Sequence, residues 1–204
     1  MPQPVRQILP GVVHWTSEHP HIGMDVSCYL LTESGVALDP LVPPDGLDWF
    51  EENGVTPREV LLSNRHHLRH ARQFAERFGC GIHASRPGMH EFSPEDGVVP
   101  FEFGTTLAGG VVAHEVGVLC PDETAFEIPD VRALAVADGV ISYDGLRFVP
   151  DNLIGDDPEA IKRGLRERYA ALAETVEFEH LLCAHGEPVI GNGRQALRDF
   201  AANA

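Results

Sequence analysis

Leu61-Leu62-Ser63-Asn64-Arg65-His66-His67-Leu68-Arg69-His70 decides how this chain is read. The apolar run Val60-Leu61-Leu62 predicts a short buried strand, and helical spacing of Leu68, Ala71, Ala75 and Phe78 predicts a helix ending at Gly79. Between them stand three histidines within five residues. Imidazoles at the exit of a buried strand are candidate metal ligands, yet no carboxylate accompanies them here. The spacing of His66 and His70 imitates H-E-x-x-H, but His67 fills the Glu position, so that mechanism lacks its base.

The same arrangement recurs along the chain. His114 follows Val111-Val112-Ala113, Asp138 follows Leu134-Ala135-Val136-Ala137, and His185 follows Leu181-Leu182-Cys183-Ala184. Strand ends meet at one edge of a sheet, so distant residues can converge there. His66, His114, Asp138 and His185 form a plausible set for a divalent transition metal. Asp138-Gly139 and His185-Gly186 also read as plain turn pairs, and His114 as a turn residue.

Cys28–Thr32 and Val36–Leu38 predict a hairpin around Gly35. Asp45 to Asn53 predicts a short helix. Further strands are expected at 81–84, 97–100, 105–107, 111–113, 124–128, 131–137 and 181–184. Asp157-Pro158 starts a long helix with an apolar stripe of Ile161, Leu165, Tyr169, Leu172 and Val176. Residues 194–204 predict a terminal amphipathic helix. Strands, helix and strand in both halves imply two packed layers with helices outside, a single domain over 1–204.

Composition narrows the function. With 15 basic against 31 acidic residues the net charge is −16, which argues against nucleic acid and an anionic membrane surface. Four scattered cysteines suggest reduced thiols. The opening residues carry no leader pattern, and no run reaches the ~18 apolar residues of a span. The expectation is a soluble cytoplasmic protein acting on a small molecule, with a homodimer left open.

These residues together resemble the metallo-β-lactamase fold superfamily. That family ends a strand in Thr-His-x-His-x-Asp-His, and Ser63-Asn64-Arg65-His66-His67-Leu68-Arg69 fills those seven places without a gap. His114, Asp138 and Ala184-His185-Gly186 match its later landmarks in order, and Val36–Asp39 its early strand ending in Asp. The resemblance implies an α/β fold, a four-layer αββα sandwich, and a metal-dependent hydrolase. It also exposes departures. Asn64 replaces a histidine, Leu68 the aspartate that orients the attacking water, and Arg69 the last histidine.

What the resemblance implies is therefore a reduced, mononuclear site of His66, His114, Asp138 and His185. His66 and Asp138 would be the catalytic residues. Zinc would be the leading metal, with iron or manganese as alternatives. Asn64, Arg69, Asp39, His67, His70 and His21 would support the site or touch substrate. Arg69 would stand where a second metal sits, paired with Asp138 or gripping an anionic group. The reaction expected is cleavage of an ester or thioester by water activated at the metal. The competing expectation is a metal-free binding or scaffold protein of the same fold.

Overall fold

Residues 1–203 are described by a computed structural model. Seven strands form the first sheet, adjacent in space in chain order: β1 (Arg6–Leu9), β2 (Val12–Glu18), β3 (Asp25–Leu31), β4 (Val36–Leu38), β5 (Glu59–Leu62), β6 (Gly81–Ser85) and β7 (Val98–Phe101). Pairing is antiparallel from β1 to β4 and parallel from β4 to β7. The outer strand β7 carries Pro100 and a half-exposed Val99. A second sheet has the order β13 (His180–Cys183), β10 (Ala133–Val136), β9 (Thr124–Ile128), β8 (Val112–Glu115), with β10 and β13 parallel. A small hairpin, β11 (Ile141–Ser142) and β12 (Leu146–Arg147), stands apart.

Period-two alternation explains the layering. In β3, Tyr29 and Leu31 face the second sheet, while Val26, Cys28 and Leu30 face the opposite way. In β10, Ala133 and Ala135 join the same inter-sheet core, while Leu134 and Val136 turn outward. Phe126 and Leu182, both fully buried, fill the middle. Because both faces of these strands are covered, they read as near-continuous apolar runs.

Helices cover the outer faces. α1 (Asp48–Glu52) and α2 (Ala71–Phe78) lie on the first sheet, burying Phe50 and Phe74 beside Trp15. α3 (Pro158–Thr175) and α4 (Gly193–Asn203) cover the second with Leu165, Tyr169, Leu197 and Phe200. Asp157 caps α3 by accepting the Ala160 N–H at 3.0 Å. The molecule is thus a four-layer αββα sandwich. No helix among the described residues is long and apolar enough to cross a membrane.

Three local expectations are corrected. β8 runs on to Glu115, so His114 lies inside a strand and not beyond its end. Residues 105–107 make only an isolated bridge, Thr106 with Val112. The helix expected from Leu68 begins at Ala71, after a 3-10 turn over Arg65–Leu68.

Candidate metal centre

Four strands of the two sheets end at one edge. β4 delivers Asp39, β5 delivers Ser63 and the turn beyond it, β10 delivers Asp138 and β13 delivers His185. The two parallel pairs, β4 with β5 and β10 with β13, make this convergence unavoidable.

Asn64 sets the local geometry. Its extended backbone leads into the 3-10 turn, and its side-chain oxygen accepts the His66 N–H at 2.9 Å. The capped turn lays His67 back over the strand end, buried to 3% exposure. There His67 Nδ1 lies 3.0 Å from Asp39 Oδ2 and 2.9 Å from Ser63 Oγ. Its Nε2 lies 3.1 Å from Asp138 Oδ1. His185 Nε2 approaches the same oxygen at 3.0 Å. The other oxygen of Asp138 accepts from Asn64 Nδ2 at 2.9 Å.

The partners are themselves fixed. Asp39 accepts the Ser63 N–H at 2.8 Å and sits at φ 48°, a left-handed conformation that aspartate tolerates better than most non-glycine residues. The Gly139 N–H donates to buried Glu123 at 2.7 Å, which pins the turn after Asp138. The His185 carbonyl accepts the Ser142 N–H at 2.9 Å. Ser27 Oγ donates to the Gly186 carbonyl at 2.7 Å and lies 3.0 Å from His14 Nε2. Gly186 has φ 85°, and a Cβ there would clash with the Ser142 carbonyl oxygen.

Burial alone would push the Asp138 carboxyl up, but His67 beside it and hydrogen bonds from His185 and His67 hold it well below the usual carboxylate range. Burial likewise opposes ionisation of Asp39, and His67, Arg69 and Ser63 outweigh it. For His67, burial and Arg69 push downward, yet Asp138 and Asp39 raise its pKa to about 9. Two carboxylates thus flank one buried imidazole.

His67, Asp138 and His185 present one ligand atom each, all within 4.8 Å of one another. They are the only such group of His, Cys, Asp and Glu among the described residues. Two imidazole nitrogens and one carboxylate oxygen are a donor set that a single divalent transition metal accepts. His67 turning its second nitrogen to Asp39 is the support such a ligand needs, because the carboxylate fixes ring orientation and tautomer. The residues therefore fit one ion.

Asp138 and His185 are brought together here, with Asp39 and Asn64 around them. His66 is not part of the group; it lines the neighbouring cleft. His114 is remote from it, paired with Glu127 at 2.7 Å on the two neighbouring strands β8 and β9. Arg69 does not pair with Asp138. At φ 40° and ψ −117° it donates to the Asp39 carbonyl at 2.8 Å, and its Nε and Nη2 are buried without a hydrogen-bond partner. His70 Nδ1 accepts the Val42 N–H at 3.0 Å and so ties α2 to the segment after β4. His21 is exposed, and His19 of the same loop lines the cleft instead. The centrality of His67 was missed. The available signal was Asn64, a preferred N-cap, which sends the third residue after it back toward the cap.

Beside the centre opens a cleft of about 810 Å³. His66, His67, Asp138 and His185 occupy one part of its lining, and the segment Phe148–Gly155 contributes much of the remainder.

No family model and no curated protein matches the sequence. Solved structures do. A metallo-β-lactamase from Pontibacter korlensis superposes with a TM-score of 0.70 at 16% identity, covering 98% of this chain and 99% of that one. A metallo-β-lactamase family protein from Thermus thermophilus gives 0.66 at 16% identity, over 96% of this chain and 80% of the other. A third, solved in a di-iron-bound form, gives 0.63 at 21% identity, over 82% and 90%.

Proposed function

We propose that this chain, which has the metallo-β-lactamase fold, is a hydrolase that uses one divalent metal ion to cleave an ester or thioester bond in a small molecule. The observation that carries the reading is the convergence of His67 Nε2 and His185 Nε2 on Asp138 Oδ1, at 3.1 and 3.0 Å. His67, Asp138 and His185 would hold the ion, zinc first, with iron or manganese compatible with the same donors. When bound, the ion would supply Lewis acidity and bring the pKa of a water toward neutrality.

The chain's own residues supply the rest. Asp39 orients His67, and Asn64 orients the outer oxygen of Asp138. Leu68 packs against the first-sheet core and offers no proton acceptor. His66 lines the cleft, and on this reading it would take a proton from the attacking water. Arg69, which donates to the Asp39 carbonyl, would bring a cation and no ligand atom to a second ion. Four free cysteines, three of them buried, fit a reducing cytoplasm.

A second reading has its own support. Each imidazole of the cluster already faces a carboxylate, so the network can close as an ion-paired core without metal. That reading makes the molecule a metal-free binder of small ligands. Elemental analysis of tag-free protein separates the two, with His67→Ala and Asp138→Ala as comparisons. The hydrolase reading expects one ion per chain, lost in both variants. No retained metal after incubation with zinc, manganese and iron would overturn it in favour of the second.

A further inference from the structure

The cleft beside the centre is built for more than a small polar molecule. Its volume, about 810 Å³, falls within the ~300–1,000 Å³ of ligand-sized pockets. Away from the histidines its wall is apolar: Ile141, Phe148, Leu153 and Ile154, with Ile22 and Met24 also in the lining. Ile22, Met24 and Leu153 are 52%, 48% and 64% exposed, and they are three of the six large apolar side chains so exposed among the described residues. Apolar surface concentrated at a single concavity marks a binding face.

Charge at the cleft runs against the rest of the molecule. Acidic residues outnumber basic ones 31 to 15. In the lining the balance reverses, with Arg69 and Arg147 against Asp138 alone. Arg69 is engaged with the Asp39 carbonyl. Arg147 is exposed and lies over the Tyr143 ring, 5.5 Å from its centre. This cation–π approach restrains the guanidinium and leaves its N–H groups for an anion.

We propose that the substrate is an amphiphilic acyl compound. Its apolar chain lies along Ile141, Phe148, Leu153 and Ile154, and a negatively charged group separate from the reacting bond meets Arg147. The proposal rests on the reading that hydrolysis occurs at His67, Asp138 and His185, and it names the substrate class of that site.

Two measurements test it. The first is kcat/KM of the metal-loaded protein on 4-nitrophenyl acetate, butyrate, hexanoate and octanoate. The expected rise from acetate to octanoate is about tenfold or more, because each buried methylene contributes, and Leu153→Asp flattens the series. The second is calorimetric binding of decanoate, decanol and acetate, which needs no turnover. Decanoate binds well above acetate, Leu153→Asp weakens it, and Arg147→Gln weakens decanoate about fivefold while leaving decanol unchanged. A flat ester series with decanoate no tighter than acetate overturns the inference and leaves the hydrolase reading standing. Absence of any ester cleavage, with chain-dependent decanoate binding retained, overturns the hydrolase reading and leaves the amphiphile site standing.

Discussion

Glu123 is a fully buried carboxyl with Oε1 engaged by Gly139 and Tyr169, and with Oε2 lacking a partner. Burial, then the nearby Asp138 charge, raise its pKa from 4.5 to about 8. The unfolded chain releases this proton near 4.5, whereas the folded chain keeps it up to about 8. Folding stability contributed by Glu123 is therefore present at low pH, declines across that window and levels off above it. Glu123→Gln removes the ionisation and keeps an oxygen for Gly139. Urea titrations of the variant should show a flatter stability profile between those limits and higher stability at the alkaline end; an unchanged slope would refute the assignment. At this scale the sequence was half readable. Asp138 and His185 stood out as polar residues directly after apolar runs. His67 did not, because its role comes from a turn geometry that no periodicity reveals. His114 failed for the opposite reason: the apolar run before it continues as pairing with β9, so its side chain stays on a strand face.

Individual elements deliver the site through glycine-dependent turns. Gly186 follows His185 at φ 85° against the Ser142 carbonyl. Alanine there meets both a strained backbone and a clash with the Ser142 carbonyl. The structure must shift, at a cost of about 1–3 kcal/mol. Gly186→Ala is thus expected to lower the urea midpoint and to weaken metal retention together, because the displaced atoms carry His185. A variant that loses stability but retains metal at full affinity would show that this turn does not position the ligand. Most strands and the long helices were legible from alternation and caps, as with Asp157 before α3. The β11–β12 hairpin was not, since two-residue strands leave too short a pattern to detect.

Across the whole molecule, the two halves of the site belong to different sheets. Asp39 and His67 come from the first, Asp138 and His185 from the second, and the inter-sheet core sets their spacing. Phe126 sits in that core with no exposure. Phe126→Ala should cost about 3–5 kcal/mol through lost burial and the cavity left behind. If the layers fix the proposed metal site, the same variant would bind metal more weakly although Phe126 offers no ligand atom; unchanged affinity in a folded variant would argue for a site held by its loops alone. The fold itself followed from the order of apolar runs, because strands buried on both faces must pack in layers. The pairing of β4 with β5 and β10 with β13 was beyond reach, since a parallel register is written in no local residue. An open sheet can grow by recruiting another molecule's strand at its rim. At β7 Pro100 offers no N–H for such growth, and neighbouring molecules at −16 each repel. The half-exposed Val99 therefore stands at a rim where both the missing N–H and the like charge oppose strand addition.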